Sequence, residues 1–162
     1  MTMQSTLYIM CGLPFSGKTT IAKQLAKKQE FSVVSVDDIR ESLGFYWEKN
    51  EASKDDWEKI FKTVELKITS LLKSGNNVIY DSANQDKASR IKFKELAISL
   101  GVKSRVVFVD TPMKVILERY SSNLNSKERF HLPEKYFNAA VNTFEPPTED
   151  EDVIKPEQLL SS

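Results

Sequence analysis

One stretch of eight residues constrains this chain more than any other: Gly12-Leu13-Pro14-Phe15-Ser16-Gly17-Lys18-Thr19, set between the apolar run Leu7-Tyr8-Ile9-Met10-Cys11 and a helical pattern that begins near Lys18. Gly12 and Gly17 permit a tight turn whose backbone N–H groups point inward, backed by the positive end of the following helix. Such a turn is a cradle for phosphate oxygens. The spacing gives Lys18 the task of placing its ammonium on β- and γ-phosphates and makes the Thr19 hydroxyl the expected Mg²⁺ ligand. A strand before the turn and a helix after it supply the context that separates this motif from a chance match.

The rest of the chain alternates short apolar runs with helical patterns. Ile21, Ala22, Leu25 and Ala26 predict a helix that ends near Lys28. Residues 31–36 predict a second strand closed by Asp37 and Asp38, then a short helix over 39–43 that stops at Gly44. Ser53 and Asp56 have the spacing of a capping box, ahead of a long helix whose apolar face includes Trp57, Ile60, Val64, Ile68 and Leu72. A third strand over 77–80 ends at Asp81, and a helix follows over about 86–100 with Gly101 as its natural stop. A fourth strand over 103–109, a helix opened by Pro112, a further helix over 133–143 and a last strand at Val153 and Ile154 complete the pattern. Five apolar runs alternating with helices predict an α/β fold built on a parallel five-stranded sheet with helices on both faces. The polar, aperiodic stretch over 121–131 reads as a mobile cover over the phosphate site.

Composition narrows the partners. At 162 residues with 40% hydrophobic side chains, the chain has the size of one domain with a sizeable core. Basic and acidic residues both number 23, for a formal net charge of zero. No overall field therefore recruits a polyanion or an anionic membrane, and any nucleic-acid contact has to be local. Cys11 is the only cysteine, so no disulfide forms within the chain, and its place in an apolar run reads as a small buried hydrophobe. No export-signal pattern opens the sequence and no apolar run has the length of a membrane span, so a reducing cytoplasm is the expected compartment.

In a parallel sheet, residues just after each strand emerge at one edge, where ligands bind. That rule gathers Lys18, Asp37 and Asp81 at one place. Asp81, an acid after an apolar strand opposite the loop, is the expected second holder of Mg²⁺. Asp37 is the candidate base for an acceptor hydroxyl, the alternative for it and Asp38 being to cap the helix expected from Ile39. Five arginines remain to grip phosphate or acceptor. Arg119 and Arg129 bracket the polar stretch, where closure would bring them onto a triphosphate. Arg40, one helical turn from Asp37, pairs with that carboxylate or grips an acceptor. Arg105 reads as an edge charge and His131 as an ordinary surface residue, while Trp47, Trp57, Phe45 and Tyr46 read as core ahead of a stacking wall.

With these residues in place, the chain resembles the small P-loop kinases of the AAA_33 group, whose relatives include the phage polynucleotide kinase domain, zeta toxins and chloramphenicol phosphotransferase. Gly12 through Thr20 match the loop, so the resemblance extends nucleotide binding to Thr20. Val36-Asp37-Asp38-Ile39-Arg40 is similar to the segment that carries the catalytic base and an acceptor-binding arginine, which implies those roles for Asp37 and Arg40. Val78-Ile79-Tyr80-Asp81-Ser82-Ala83-Asn84 resembles the next strand and turn, Leu117-Glu118-Arg119 the lid helix, and Phe144-Glu145-Pro146-Pro147 the closing motif. The resemblance implies a three-layer P-loop kinase fold with a small lid over about 119–133, and a single domain over 1–162. It also implies ATP with Mg²⁺ as cofactors and phosphate contacts from Arg119 and Arg129. Phe15 departs from the pattern by standing where the group often has a small residue, and 121–130 departs by being stretched.

The expected activity is transfer of the ATP γ-phosphoryl group to a hydroxyl of a small molecule or nucleotide. A 5′-hydroxyl polynucleotide kinase is the narrower alternative, favoured by Asp37 and Arg40 and opposed by the lack of a basic stripe. A non-catalytic nucleotide-dependent interaction module is the alternative from another class, and the presence of an acid at 37 speaks against it.

Overall fold

The structure is a computed structural model that describes residues 4–46, 50–83, 86–126 and 132–161. The apolar runs form the strands β1 (Thr6–Cys11), β2 (Ser32–Ser35), β3 (Val78–Asp81), β4 (Lys103–Phe108) and β5 (Val153–Ile154). The periodic segments form α1 (Lys18–Gln29), α2 (Val36–Ser42), α3 (Lys54–Lys73), α4 (Lys87–Ser99), α5 (Met113–Ser126), α6 (Glu134–Thr143) and the short α7 (Pro156–Leu160). All four strand pairings are parallel, in the order β2-β3-β1-β4-β5. The strand that leads into the phosphate loop is therefore central, with β3 on one side and β4 on the other.

The period-two alternation of the strands sorts their side chains between two layers. Leu7, Ile9 and Cys11 of β1, Val78 and Tyr80 of β3 and Val106 of β4 share one core with Ile60, Val64 and Ile68 of α3 and Phe93 and Ala97 of α4. Met10, Ile79, Val107 and Ile154 face the other way, onto Ala22 and Leu25 of α1 with Leu159 and Leu160 beside them. Helices cover both faces, in three layers. Burying Ile60, Val64, Ile68 and Leu72 along one stripe of α3 contributes about 1.5–3 kcal/mol each relative to exposure.

Helix ends follow local chemistry. The expected box at the start of α3 is formed: Ser53 Oγ accepts from the Asp56 amide at 3.2 Å and Asp56 Oδ2 accepts from the Ser53 amide at 2.9 Å. Asp86 caps α4, its Oδ1 accepting from the Ser89 amide at 2.7 Å. Helices α2 and α5 differ from expectation in extent, and the short α7 is a helix that the sequence pattern does not predict. Helix α2 begins at Val36 rather than Ile39, because Ser35 supplies the cap by accepting from the Asp38 amide at 3.3 Å. Asp37 and Asp38 thus occupy the first helical turn, where the helix dipole favours negative charge. Helix α5 runs on to Ser126 instead of giving way to a cover at 121, because Ile116, Tyr120 and Asn123, at helical spacing, are all buried.

A buried ion pair closes the sheet at its far edge. Arg90 Nε of α4 lies 2.7 Å from Glu151 Oε1, with the two side chains 1% and 5% exposed. The Thr148 amide also donates to the Glu151 carboxylate at 2.8 Å, and Arg90 donates to Cys11 Sγ at 3.6 Å. Burial, opposed by the Arg90 charge, pushes the Cys11 thiol up to about 11, so this cysteine stays protonated and inert. Among the described residues no helix is long and apolar enough to cross a membrane.

Candidate nucleotide and acceptor site

The loop between β1 and α1 is held by contacts from three directions. A Cβ on Gly12 would lie 2.8 Å from Ser16 Oγ and 2.9 Å from the Val109 carbonyl, so only glycine passes under the loop there. Gly17 has φ of 101°, a left-handed conformation that glycine adopts without cost. The Ser16 amide donates to Leu13 O at 3.1 Å, and Thr111 Oγ1 donates to Ser16 O at 2.6 Å. Arg119 Nη1, reaching from α5, donates to Phe15 O at 2.9 Å. Lys18 Nζ folds back to donate to Leu13 O at 2.9 Å. The Ser16 hydroxyl is buried and has no hydrogen-bond partner among the described residues. A buried orphan polar atom at a helix N-terminus fits an anionic ligand that completes the cradle.

Phe15 itself is in the left-handed region at φ of 67°, unusual for a bulky residue. Its ring compensates by packing edge-on against Tyr120 of α5 and Phe137 of α6, with centroids 5.5 and 6.2 Å away, and these two stack on each other at 4.1 Å. Together with Leu13, Ile116 and Leu132 they make a third apolar cluster directly beneath the loop. The residue that departs from the family pattern is the one that ties the loop to α5 and α6.

The acids converge as the topology requires. Ser35 and Asp81 are in register across β2 and β3, so Asp37, in the first turn of α2, lies just beyond the level of Asp81. Thr19 Oγ1 donates to Asp81 Oδ2 at 2.9 Å. Burial pushes the Asp81 carboxyl above the usual carboxylate range, opposed by the Thr19 bond and the Lys18 charge and reinforced by Asp37 and Asp38. Asp37 is half exposed, its Oδ1 3.5 Å from Nη2 of Arg40. Arg40 is buried: it also donates to the Phe45 carbonyl at 2.7 Å and lies 3.6 Å from Glu41.

Asp37, Asp81 and the loop residues Lys18 and Thr19 border one cavity of about 840 Å³. Its lining also includes the rings of Trp57, Phe61, Tyr80, Phe93 and Tyr136, together with Leu132 and the polar side chains of Ser82, Asp86, Ser89 and Lys92. Arg40 is not among its lining side chains. It borders instead a separate space of about 30 Å³ with Tyr46, Glu51, Ala52, Trp57 and Tyr136, behind the Asp37 carboxylate. Among the described residues no three His, Cys, Asp or Glu side chains cluster as a self-sufficient metal site. One hydroxyl and one carboxylate, Thr19 and Asp81, fit the way Mg²⁺ is held when phosphate oxygens and water complete its shell.

Of the residues the sequence singled out, Lys18, Thr19, Asp37 and Asp81 are thus brought to one cleft, Arg119 to the back of the loop, and Arg40 behind Asp37. Arg105 pairs with Asp152 at 3.4 Å on the surface. Arg129, His131, Trp47 and Asn84 lie outside the described residues. Sequence reasoning passed over Thr111 and the α6 wall. Thr111 was within reach of the rule already applied to β2 and β3, since it follows β4 at the same sheet edge. Tyr136 and Ala140 carried no signal, because their pattern is that of any amphipathic helix.

A central strand, a phosphate cradle and a helix in a five-stranded parallel sheet define the P-loop kinase fold. The family model AAA_33, described as an AAA domain, matches residues 7–147, and the chain belongs to that family. Among solved structures, Kti12 from Chaetomium thermophilum in complex with ADP-AlF3 superimposes with a TM-score of 0.77 at 20% identity, covering 96% of this chain and 95% of that one. A sugar kinase from Janibacter sp. gives 0.69 at 19% identity over 98% and 91% of the two chains. An APS kinase from Mycobacterium tuberculosis in complex with AMPPNP and APS gives 0.69 at 20% identity over 98% and 99%. At these identities the likeness is one of fold. No curated protein matches the sequence.

Proposed function

We propose that this protein is an ATP-dependent phosphotransferase that moves the γ-phosphoryl group to a hydroxyl of a small-molecule or nucleotide acceptor. The observation that carries the reading is that the Asp37 carboxylate and the Thr19–Asp81 pair border the same cavity as the phosphate loop. The triphosphate lies on the backbone amides of residues 12–19, with Thr20 at its edge. Lys18 leaves the Leu13 carbonyl for the β- and γ-phosphates. Thr19 and Asp81 hold Mg²⁺, which neutralises charge on the phosphates when bound. The acceptor hydroxyl gives its proton to Asp37 as its oxygen bonds to the γ-phosphorus and the bond to the β-phosphate oxygen breaks, releasing ADP. Arg119, reaching from α5, and Arg129 add charge to the transferring group. Arg40, behind Asp37, orients that carboxylate. Residues 1–162 act as one domain, and a lone buried cysteine suits the cytoplasm.

The neutral charge and the burial of Arg40 away from the cavity favour a compact acceptor over a polynucleotide. Isothermal titration and coupled ADP-release assays on two variants test the division of labour. Lys18→Ala abolishes nucleotide binding, whereas Asp37→Asn keeps nucleotide affinity and loses about 10²–10⁴-fold in transfer. Equal loss of affinity in both overturns it, as does full turnover by Asp37→Asn, and nucleotide binding without accelerated hydrolysis or transfer returns the protein to a nucleotide-binding module.

A further inference from the structure

The acceptor end of the cavity carries more information than the phosphate end. Five rings line the cavity that Asp37 borders, with Ser82, Asp86, Ser89 and Lys92 as polar lining from the turn after β3 and from α4. Trp57 and Phe61 stack with centroids 5.7 Å apart at 30° on α3, and Tyr80 and Phe93 pack at 4.1 Å beneath them. Tyr136 of α6 forms the facing wall, its hydroxyl donating to Glu51 Oε1 at 2.8 Å. All five rings line the cavity into which Asp37 and Asp81 also open. Two cations beside these rings are already engaged: Lys92 lies 3.0 Å from Glu65 and 5.8 Å from the Phe61 ring centroid, and Lys135 lies 3.7 Å from Glu51 and 4.8 Å from the Tyr136 ring centroid.

The rings outnumber the polar partners: a sugar or polyol brings several hydroxyls that each lose water on entry and each needs a partner, for which the lining offers chiefly Ser82, Ser89 and Asp86, the last already accepting from the Ser89 amide. Rings that flank a slot instead favour a flat π-system, by offset stacking and removal of apolar surface from water.

We propose that the acceptor is an alcohol carrying an aromatic or heteroaromatic ring, the ring held against Trp57, Phe61 and Tyr136 while its hydroxyl points back to Asp37. The assignment rests on the phosphotransferase reading above and names its acceptor class. In the reaction the alcohol oxygen forms the new bond to the γ-phosphorus, its proton passes to Asp37, and ADP leaves with the electrons of the broken bond. Trp57 sets specificity by touching the ring.

Two readouts separate this assignment from the phosphotransferase reading itself. In the Trp47→Phe protein, Trp57 is the sole tryptophan, and its fluorescence reports ring binding whether or not transfer occurs. The probes are a nucleoside (adenosine), an aryl alcohol (2-phenylethanol) and two polyols (gluconate and glucose), each with and without ADP and Mg²⁺. Saturable quenching by at least one ring-bearing alcohol and none by the polyols is expected, the stronger of the first two probes identifying the ring source. Among substrates turned over with ATP, Trp57→Leu raises acceptor KM at least tenfold with ADP affinity unchanged, and Trp57→Phe restores most of it. Polyols that bind or react as well as ring-bearing alcohols overturn the assignment, as does an acceptor KM indifferent to Trp57→Leu. Ring binding without any nucleotide affinity would sink the phosphotransferase reading and leave the ring site standing.

Discussion

At the scale of single residues, the site is defined by what each polar group does before any ligand arrives. Lys18 and Arg119 rest on loop carbonyls, and Thr19 rests on Asp81, so each of these groups is engaged within the protein. Asp81 has the clearest pH signature. Its carboxyl is pushed above the usual range by burial, so the free protein gains a contribution below the ordinary Asp pKa that fades as pH rises through the raised value. Cation binding runs the other way, since only the ionised form holds Mg²⁺. Mg²⁺-dependent nucleotide affinity is therefore expected to weaken on acidification at a pH higher than an ordinary carboxylate would give, and Asp81→Asn removes that dependence. Titrations of ADP with and without Mg²⁺ between pH 4.5 and 8 measure it, and an Mg²⁺ effect independent of pH in the unmodified protein would refute it. Lys18, Thr19 and Asp81 were legible in the sequence because a fixed spacing and the strand-end rule place them without knowledge of packing. Arg40 was legible only in part: its helical spacing gives the Asp37 contact, while the burial that takes it out of the cavity depends on Phe45 and on α3.

At the scale of elements, the account turns on how the loop is joined to α5 and α6. Phe15 holds a left-handed conformation because its ring is needed in the cluster with Tyr120 and Phe137. That predicts an inverted order of substitution. Phe15→Ala costs about 3 kcal/mol or more for the lost ring, and Phe15→Gly costs about 1 kcal/mol less, since glycine relieves the positive φ that alanine retains. Urea denaturation of both proteins decides the matter, and alanine equal to or better than glycine would contradict the strain argument. The two element boundaries that differed from expectation share one cause. Caps and apolar spacing are local, and they gave α3 and α4 their ends correctly. The start of α2 depended on Ser35 outcompeting Asp37 and Asp38 for the cap, and the length of α5 on tertiary burial of Tyr120 and Asn123 in a stretch that reads as polar.

At the scale of the whole molecule, the chain carries no formal net charge, and among the described residues one long-range tie stands out. The buried Arg90–Glu151 pair joins α4 to the turn before β5. Burial acts against the Glu151 charge, but the Arg90 bonds and the Thr148 amide outweigh it and hold its carboxyl below the ordinary range. Its stabilisation is present above the unfolded Glu pKa and is lost as pH falls through the depressed folded value. Glu151→Gln leaves a buried guanidinium without its countercharge and is expected to cost about 3–5 kcal/mol at pH 7, with a flatter acid limb in a stability-against-pH profile; an unchanged acid limb would refute the role given to this pair. The sequence carried the sheet, its parallel sense and the phosphate edge, because these follow from strand order and glycine chemistry. It carried the aromatic wall only as a core pattern, because a ring facing a cavity and a ring facing the core share the same spacing. The most direct test of the central claim is a crystal structure with a non-hydrolysable ATP analogue and Mg²⁺. The account requires the triphosphate on the amides of residues 12–19, a metal ion contacting Thr19, and the Asp37 carboxylate facing the γ-phosphate across the cleft. A nucleotide seated elsewhere, or Asp37 turned from the γ-phosphate, would contradict it.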